Sequence, residues 1–108
     1  MLDLKRAAEQ GDVESQTELG ELLLEQGDFG GAERWLHKAA LQGDASAQKS
    51  LGLLYYKGEG VEQDYRQARL WLLRAARQGH AVAQYDLGVM SNHGEELHKT
   101  SRKLGAGT

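Results

Sequence analysis

Apolar residues recur at helical spacing along most of the chain. Between 45 and 57, Ala47, Leu51, Leu54 and Tyr55 fall at i, i+4, i+7 and i+8, which is one face of a helix. Between 64 and 78, Ala68, Trp71, Leu72, Ala75 and Ala76 continue in steps of three and four residues. The spacing predicts a helix A over about 45–57 and a helix B over about 64–78. "KGEG" at 57–60 separates them, because glycine tolerates the left-handed backbone at which helices end. Asp64 is placed to cap helix B by accepting from N–H groups that no helical carbonyl satisfies. Gly79 is placed to end it.

The same pattern occurs three times. "AAEQGDVESQTELG" (7–20), "AALQGDASAQKSLG" (39–52) and "AARQGHAVAQYDLG" (75–88) share seven of fourteen positions. The offsets are 32 and 36 residues, and periods near 34 indicate stacked helix pairs, in which each unit buries its apolar face on the next. Leu-Gly recurs at 19–20, 51–52 and 87–88. Glycine inside a helix costs roughly 1 kcal/mol against alanine, so its return at one register predicts a neighbouring helix passing close. Trp35 and Trp71 occupy equivalent places among small residues, a large ring alternating with small side chains as helix pairs interdigitate. Gln16, Gln48 and Gln84 are identical and are expected to hydrogen-bond between adjacent A helices. Asp12, Asp28, Asp44 and Asp64 precede predicted helices as caps. His80 stands where Asp12 and Asp44 do, in a polar turn. The first unit is four residues shorter. Aligning Asp28 with Asp64, Phe29 with Tyr65 and Ala32 with Ala68 puts the deletion in the A–B loop and leaves the helices in register.

The middle unit resembles a Sel1-like repeat. Ala45, Ala47, Leu51, Gly52, Tyr55, Gly58, Gly60, Val61, Asp64, Ala68, Trp71, Ala75, Ala76 and Gly79 match that pattern in identity and spacing. The resemblance covers most of 4–94. The first unit departs from it, with Leu23 at the tyrosine position and no G-x-G-V loop, and is closer to a tetratricopeptide repeat. The third has Ser91 at that position and "HGEEL" for "KGEGV". The resemblance implies an all-α fold, a right-handed α-solenoid of antiparallel helix-turn-helix repeats. It also implies a protein-binding scaffold, often bacterial and often an adaptor. The units are expected at about 13–42, 45–78 and 81–94, the last partial, within a repeat domain spanning 1–94.

Composition removes several alternatives. A net charge of −3 with mixed signs gives no basic stripe for nucleic acid and no polybasic cluster for a membrane surface. No run approaches a membrane span, and "MLDLKRAAEQ" is not a signal peptide, so a cytoplasmic location is expected, the alternative being a fragment of an exported protein. With no cysteine, disulfides, thiolate metal sites and cysteine catalysis are out. With no proline, glycine does the punctuation.

No catalytic, cofactor or metal residue is assigned. There is no G-x-S-x-G elbow and no phosphate-binding glycine loop. His93 and His98 in "HGEELH" are five apart with an intervening glycine, whereas a zinc helix needs i and i+4. A solvated turn accounts for them. Tyr55, Tyr65, Trp35 and Trp71 sit at helical spacing and are expected in the core.

The A helices of tetratricopeptide-like arrays line the concave groove, so a binding row is sought on their non-core face. Lys49, Leu53 and Tyr56 lie at i, i+4 and i+7 away from Leu51 and Tyr55. Their equivalents are Thr17, Glu21 and Leu24 in the first unit, and Tyr85, Val89 and Asn92 in the third. An apolar strip of Leu24, Leu53, Tyr56, Tyr85 and Val89 beside Lys49 and Glu21 suits a peptide or helix of an unknown partner protein. The competing reading is that neighbouring A helices bury these residues against each other. The ends are half units. Residues 95–108 are a tail, either a truncated repeat or disordered, and Val82, Leu87 and Met90 are expected to be partly bare. Either the tail folds back over them, or a second copy covers them in a homodimer through the half repeat. The leading function is therefore a non-enzymatic interaction scaffold. The alternatives are a small-molecule hydrolase or enzyme subunit of the Sel1-like type, and a self-associating structural fragment.

Overall fold

The computed structural model describes residues 2–90. Its helices are α1 (Leu2–Glu9), α2 (Val13–Glu25), α3 (Phe29–Leu41), α4 (Ala45–Lys57) and α5 (Tyr65–Arg77). A sixth, α6, covers 81–90 as far as the described residues go. Helix α4 has the bounds predicted for helix A. Helix α5 starts one residue later than predicted, because Asp64 is its cap and not its first helical residue. Each helix packs on the next from α1 to α5, and α2 also touches α4 directly. The product is an elongated all-α solenoid, 57 × 27 × 18 Å.

The turns between units explain half of the repeated phrase. Gly11, Gly43 and Gly79 have φ of 100°, 99° and 86°, a region that L side chains enter only with strain. Each ends a B helix with the paired bonds of a Schellman turn. At the middle turn, Gly43 N–H donates to the Ala40 carbonyl (3.0 Å) and Asp44 N–H to that of Ala39 (3.2 Å). Asp44 then opens α4 by accepting from Ala47 N–H at 2.9 Å. Asp12, Asp28 and Asp64 cap α2, α3 and α5 in the same way, as predicted. His80 does more than fill a turn. Its Nδ1 accepts from Ala83 N–H at 3.2 Å, so the imidazole caps α6 where its counterparts use a carboxylate.

The identical glutamines make repeated bonds, but to a different partner from the one expected. Gln16, Gln48 and Gln84 donate from Nε2 to the carbonyls of Ala8, Ala40 and Ala76 at 3.0–3.1 Å. Each therefore ties an A helix to the preceding B helix, not to another A helix. The Schellman turn folds the B helix's last carbonyls back beside the A helix, where a side chain eight residues on can reach them. A second glutamine closes the bridge. Gln42 Nε2 donates to Gln16 Oε1 (2.8 Å), and Gln78 Nε2 to Gln48 Oε1 (2.9 Å). One buried amide thus joins three helices, α3, α4 and α5 in the case of Gln48.

The Leu-Gly register marks the predicted close approach at two of its three copies; at the third, Gly88 has nothing within 4 Å. A Cβ on Gly20 would lie 2.6 Å from Leu36 Cγ, and one on Gly52 2.9 Å from Leu72 Cγ and 3.1 Å from the Ala68 carbonyl. Gly30, also helical, has nothing within 4 Å. Alanine should therefore act with opposite signs at the two sites. Gly30→Ala should stabilise by about 0.5–1 kcal/mol through helix propensity and unfolded-state entropy. Gly52→Ala should destabilise by about 1–2 kcal/mol, because overpacking against a backbone carbonyl outweighs the same gain. Urea midpoints of the two variants read the signs directly.

Leu36, Leu51, Leu54 and Leu72 are the largest fully buried side chains. Trp71 is buried with Arg74 over its ring, and Trp35 is half-buried beneath Lys38. Three expectations fail. Trp35 is only half-buried and joins neither core cluster. Tyr65 is exposed, since it begins α5 beside a solvent-facing cap, and its ring meets Tyr56 edge-on at 5.4 Å. Met90 is buried, because it packs with Ala68, Leu72, Ala75 and Ala83. Val82 is bare as expected, and Leu87 is half-buried.

Candidate functional site

The predicted row divides into two parts. At its N-terminal end the residues are committed to the fold. Thr17 is buried, and its hydroxyl donates to Asp44 Oδ2 at 2.9 Å, tying α2 to the cap of α4. Thr17 is therefore corrected from a groove residue to an inter-repeat contact. Its side chain is short enough for the next A helix to close over it. Glu21 is half-buried and accepts from Ser50 Oγ at 3.4 Å, and Leu24 packs on the main core. Lys49 is half-buried.

At the other end the row opens. Leu53 and Tyr56 of α4, Leu72 of α5, and Tyr85, Val89 and Met90 of α6 line a recess of about 140 Å³. Tyr85 is 72% exposed and Val89 46%. Asp86 also lines the recess, and its Oδ2 is buried, with no hydrogen-bond partner among the described residues. Asp86 was missed in the sequence because it sits one residue off the row. Its position at i+1 from Tyr85 was the available signal.

A second and larger concavity, about 700 Å³, shares no lining residue with the row. It lies between α3, α4, α5 and the loop at 58–64. In that loop Gly60, with φ of 73°, lies so close to Phe29 that a Cβ would overlap the Phe29 side chain. The longer A–B loop of the middle unit thus leans on the start of α3. His37 and Trp71 meet edge-on at 5.8 Å, and His37 Nδ1 lies 3.2 Å from Glu33 Oε2. Burial, then the carboxylates of Glu33 and Asp64, push the Tyr55 phenol above its ordinary range. The four extra loop residues were the sequence signal for this concavity.

Among the described residues no three His, Cys, Asp or Glu side chains gather as a metal set, and no helix is long and apolar enough to cross a membrane. Asn92, His93, His98, the tail at 95–108 and the proposed dimer through the half repeat lie outside the described residues.

Comparison with known proteins follows the repeat boundaries. The pattern of the Sel1 repeat matches residues 4–12, 13–44, 45–80 and 81–103. Among solved structures, the chain is similar to c5321, a protective antigen of uropathogenic Escherichia coli strains with an SLR fold. The identity is 36% and the TM-score 0.81, over 84% of this chain and 20% of that one. It is also similar to a Sel1 repeat protein from Oxalobacter formigenes, at 38% identity and a TM-score of 0.77, over 83% of this chain and 27% of that one. The chain therefore spans about a fifth to a quarter of the length of these two proteins. No curated protein matches it.

Proposed function

Because the chain belongs to the Sel1 repeat family, whose members typically serve as protein-interaction scaffolds, we propose that it binds a peptide or helix of a partner protein on the open half of its A-helix row. The observation that carries this reading is the recess between α4, α5 and α6. It joins exposed Tyr85 and Val89 of α6 to half-buried Leu53 and Tyr56 of α4. Monomeric surfaces seldom leave apolar side chains contiguous without use. Aromatic residues in such recesses supply most of the affinity of an interface. A bound segment would place an apolar side chain against Leu53, Tyr56 and Val89.

Peptides selected against the whole chain from a display library provide the test. Tyr85→Ala should weaken a selected peptide at least about tenfold, as an aromatic anchor does. The helical circular-dichroism signal should not change, because Tyr85 is mostly exposed. Unchanged affinity in both Tyr85→Ala and Val89→Ser would remove the row from the interface.

A further inference from the structure

The larger concavity is distinct from the row in lining and in chemistry. Its walls are rings and carboxylates: His37 from α3, Tyr55 from α4, Trp71 from α5, with Glu62 and Asp64 on the loop. No lysine or arginine lines it. Asp64 Oδ1 already accepts from the N–H groups of Arg66 and Gln67, so its position is fixed by the cap of α5. Glu62 is exposed on the same loop. Glu33 stands behind His37 and adds its negative charge. Arg74 lies over Trp71, 4.8 Å from the ring centroid, and does not line the cavity, and His37 faces Glu33.

We propose that this cavity is a second binding site, one that takes a single arginine or lysine side chain of a partner protein. Carboxylates attract the cationic head, and aromatic rings accept both it and its methylene stem. The chain already uses this chemistry internally, with Arg74 over Trp71 and Lys38 over Trp35. The Tyr55 phenol is raised mainly by burial, with the carboxylates of Glu33 and Asp64 adding to it at the cavity wall. The site depends on the long A–B loop, which supplies Val61, Glu62, Gln63 and Asp64 to its lining. It does not depend on the row between α4 and α6, and either site can fail without the other.

The test is a chemical-shift titration of the whole chain with Nα-acetyl-arginine amide, against the neutral isostere Nα-acetyl-citrulline amide. The arginine probe should give saturable shifts at the Trp71 indole N–H and the Gln67 amide, and citrulline should bind at least about threefold more weakly. Glu62→Gln, in an exposed loop position, should weaken the arginine probe by a similar factor while leaving the spectrum otherwise intact. The proposal is overturned if the arginine probe gives no saturable shift there, if citrulline binds equally well, or if Glu62→Gln binds unchanged.

Discussion

Truncating Leu72 to alanine is expected to lower the unfolding free energy by about 3–5 kcal/mol. Leu72 is 1% exposed and is one of four fully buried large side chains. It lies over Gly52 and belongs to the cluster with Ala68, Ala75, Ala83 and Met90 that holds the third A helix. The glycine beneath it has no side chain to move into the vacated space, so the site collapses poorly and most of the cavity cost is retained. A chain of this length is stable by only about 5–15 kcal/mol, so the loss is a large fraction of the total. Stability in repeat arrays sums over neighbouring interfaces. Hydrogen exchange should therefore rise most in α5 and α6 and least in α2. Uniform loss of protection across all helices would mean that the array does not behave as stacked units.

Replacing Gln48 by leucine is expected to cost about 2–4 kcal/mol, from two groups left unsatisfied at about 1–3 kcal/mol each. The substitution keeps the bulk near the same size but strands the Ala40 carbonyl and the Gln78 amide, both bonded to Gln48. Gln78 also donates to the Gly43 carbonyl at 2.8 Å, so part of its capacity survives. A double-mutant cycle with Gln78→Ala separates the two contributions. The pair should couple by about 1 kcal/mol, as contacting residues in one network do. If the two substitutions add without coupling, the glutamine bridge is not what fixes α5 against α4.

Much of the fold is visible in the sequence because each repeated residue answers a local requirement. Glycine at 11, 43 and 79 supplies positive φ, aspartate at 12 and 44 supplies a cap, and glycine at 20 and 52 admits a leucine of the neighbouring helix. What the sequence hides is which neighbour a side chain meets. The spacing of Gln48 shows it to be special but does not tell an A-helix partner from the end of the preceding B helix. Thr17 shares a register with Lys49 and Tyr85. Periodicity gives the face a residue occupies, yet Thr17 is buried because Asp44, 27 residues away, reaches it. Tyr65 follows the apolar rhythm but falls in the first turn, where the helix has not yet entered the core. The open half of the row was visible as an apolar strip. Its one buried carboxylate oxygen, on Asp86, was not, since only packing strips that atom of water.

Whether a partner segment lies on the open row is decided by a chemical-shift map of the whole chain with a peptide selected against it. The largest changes should fall at Leu53, Tyr56, Tyr85, Asp86 and Val89, with His37, Gln67 and the Trp71 indole unmoved. Changes centred on the cavity beside His37 and Trp71, with the row silent, would contradict that placement.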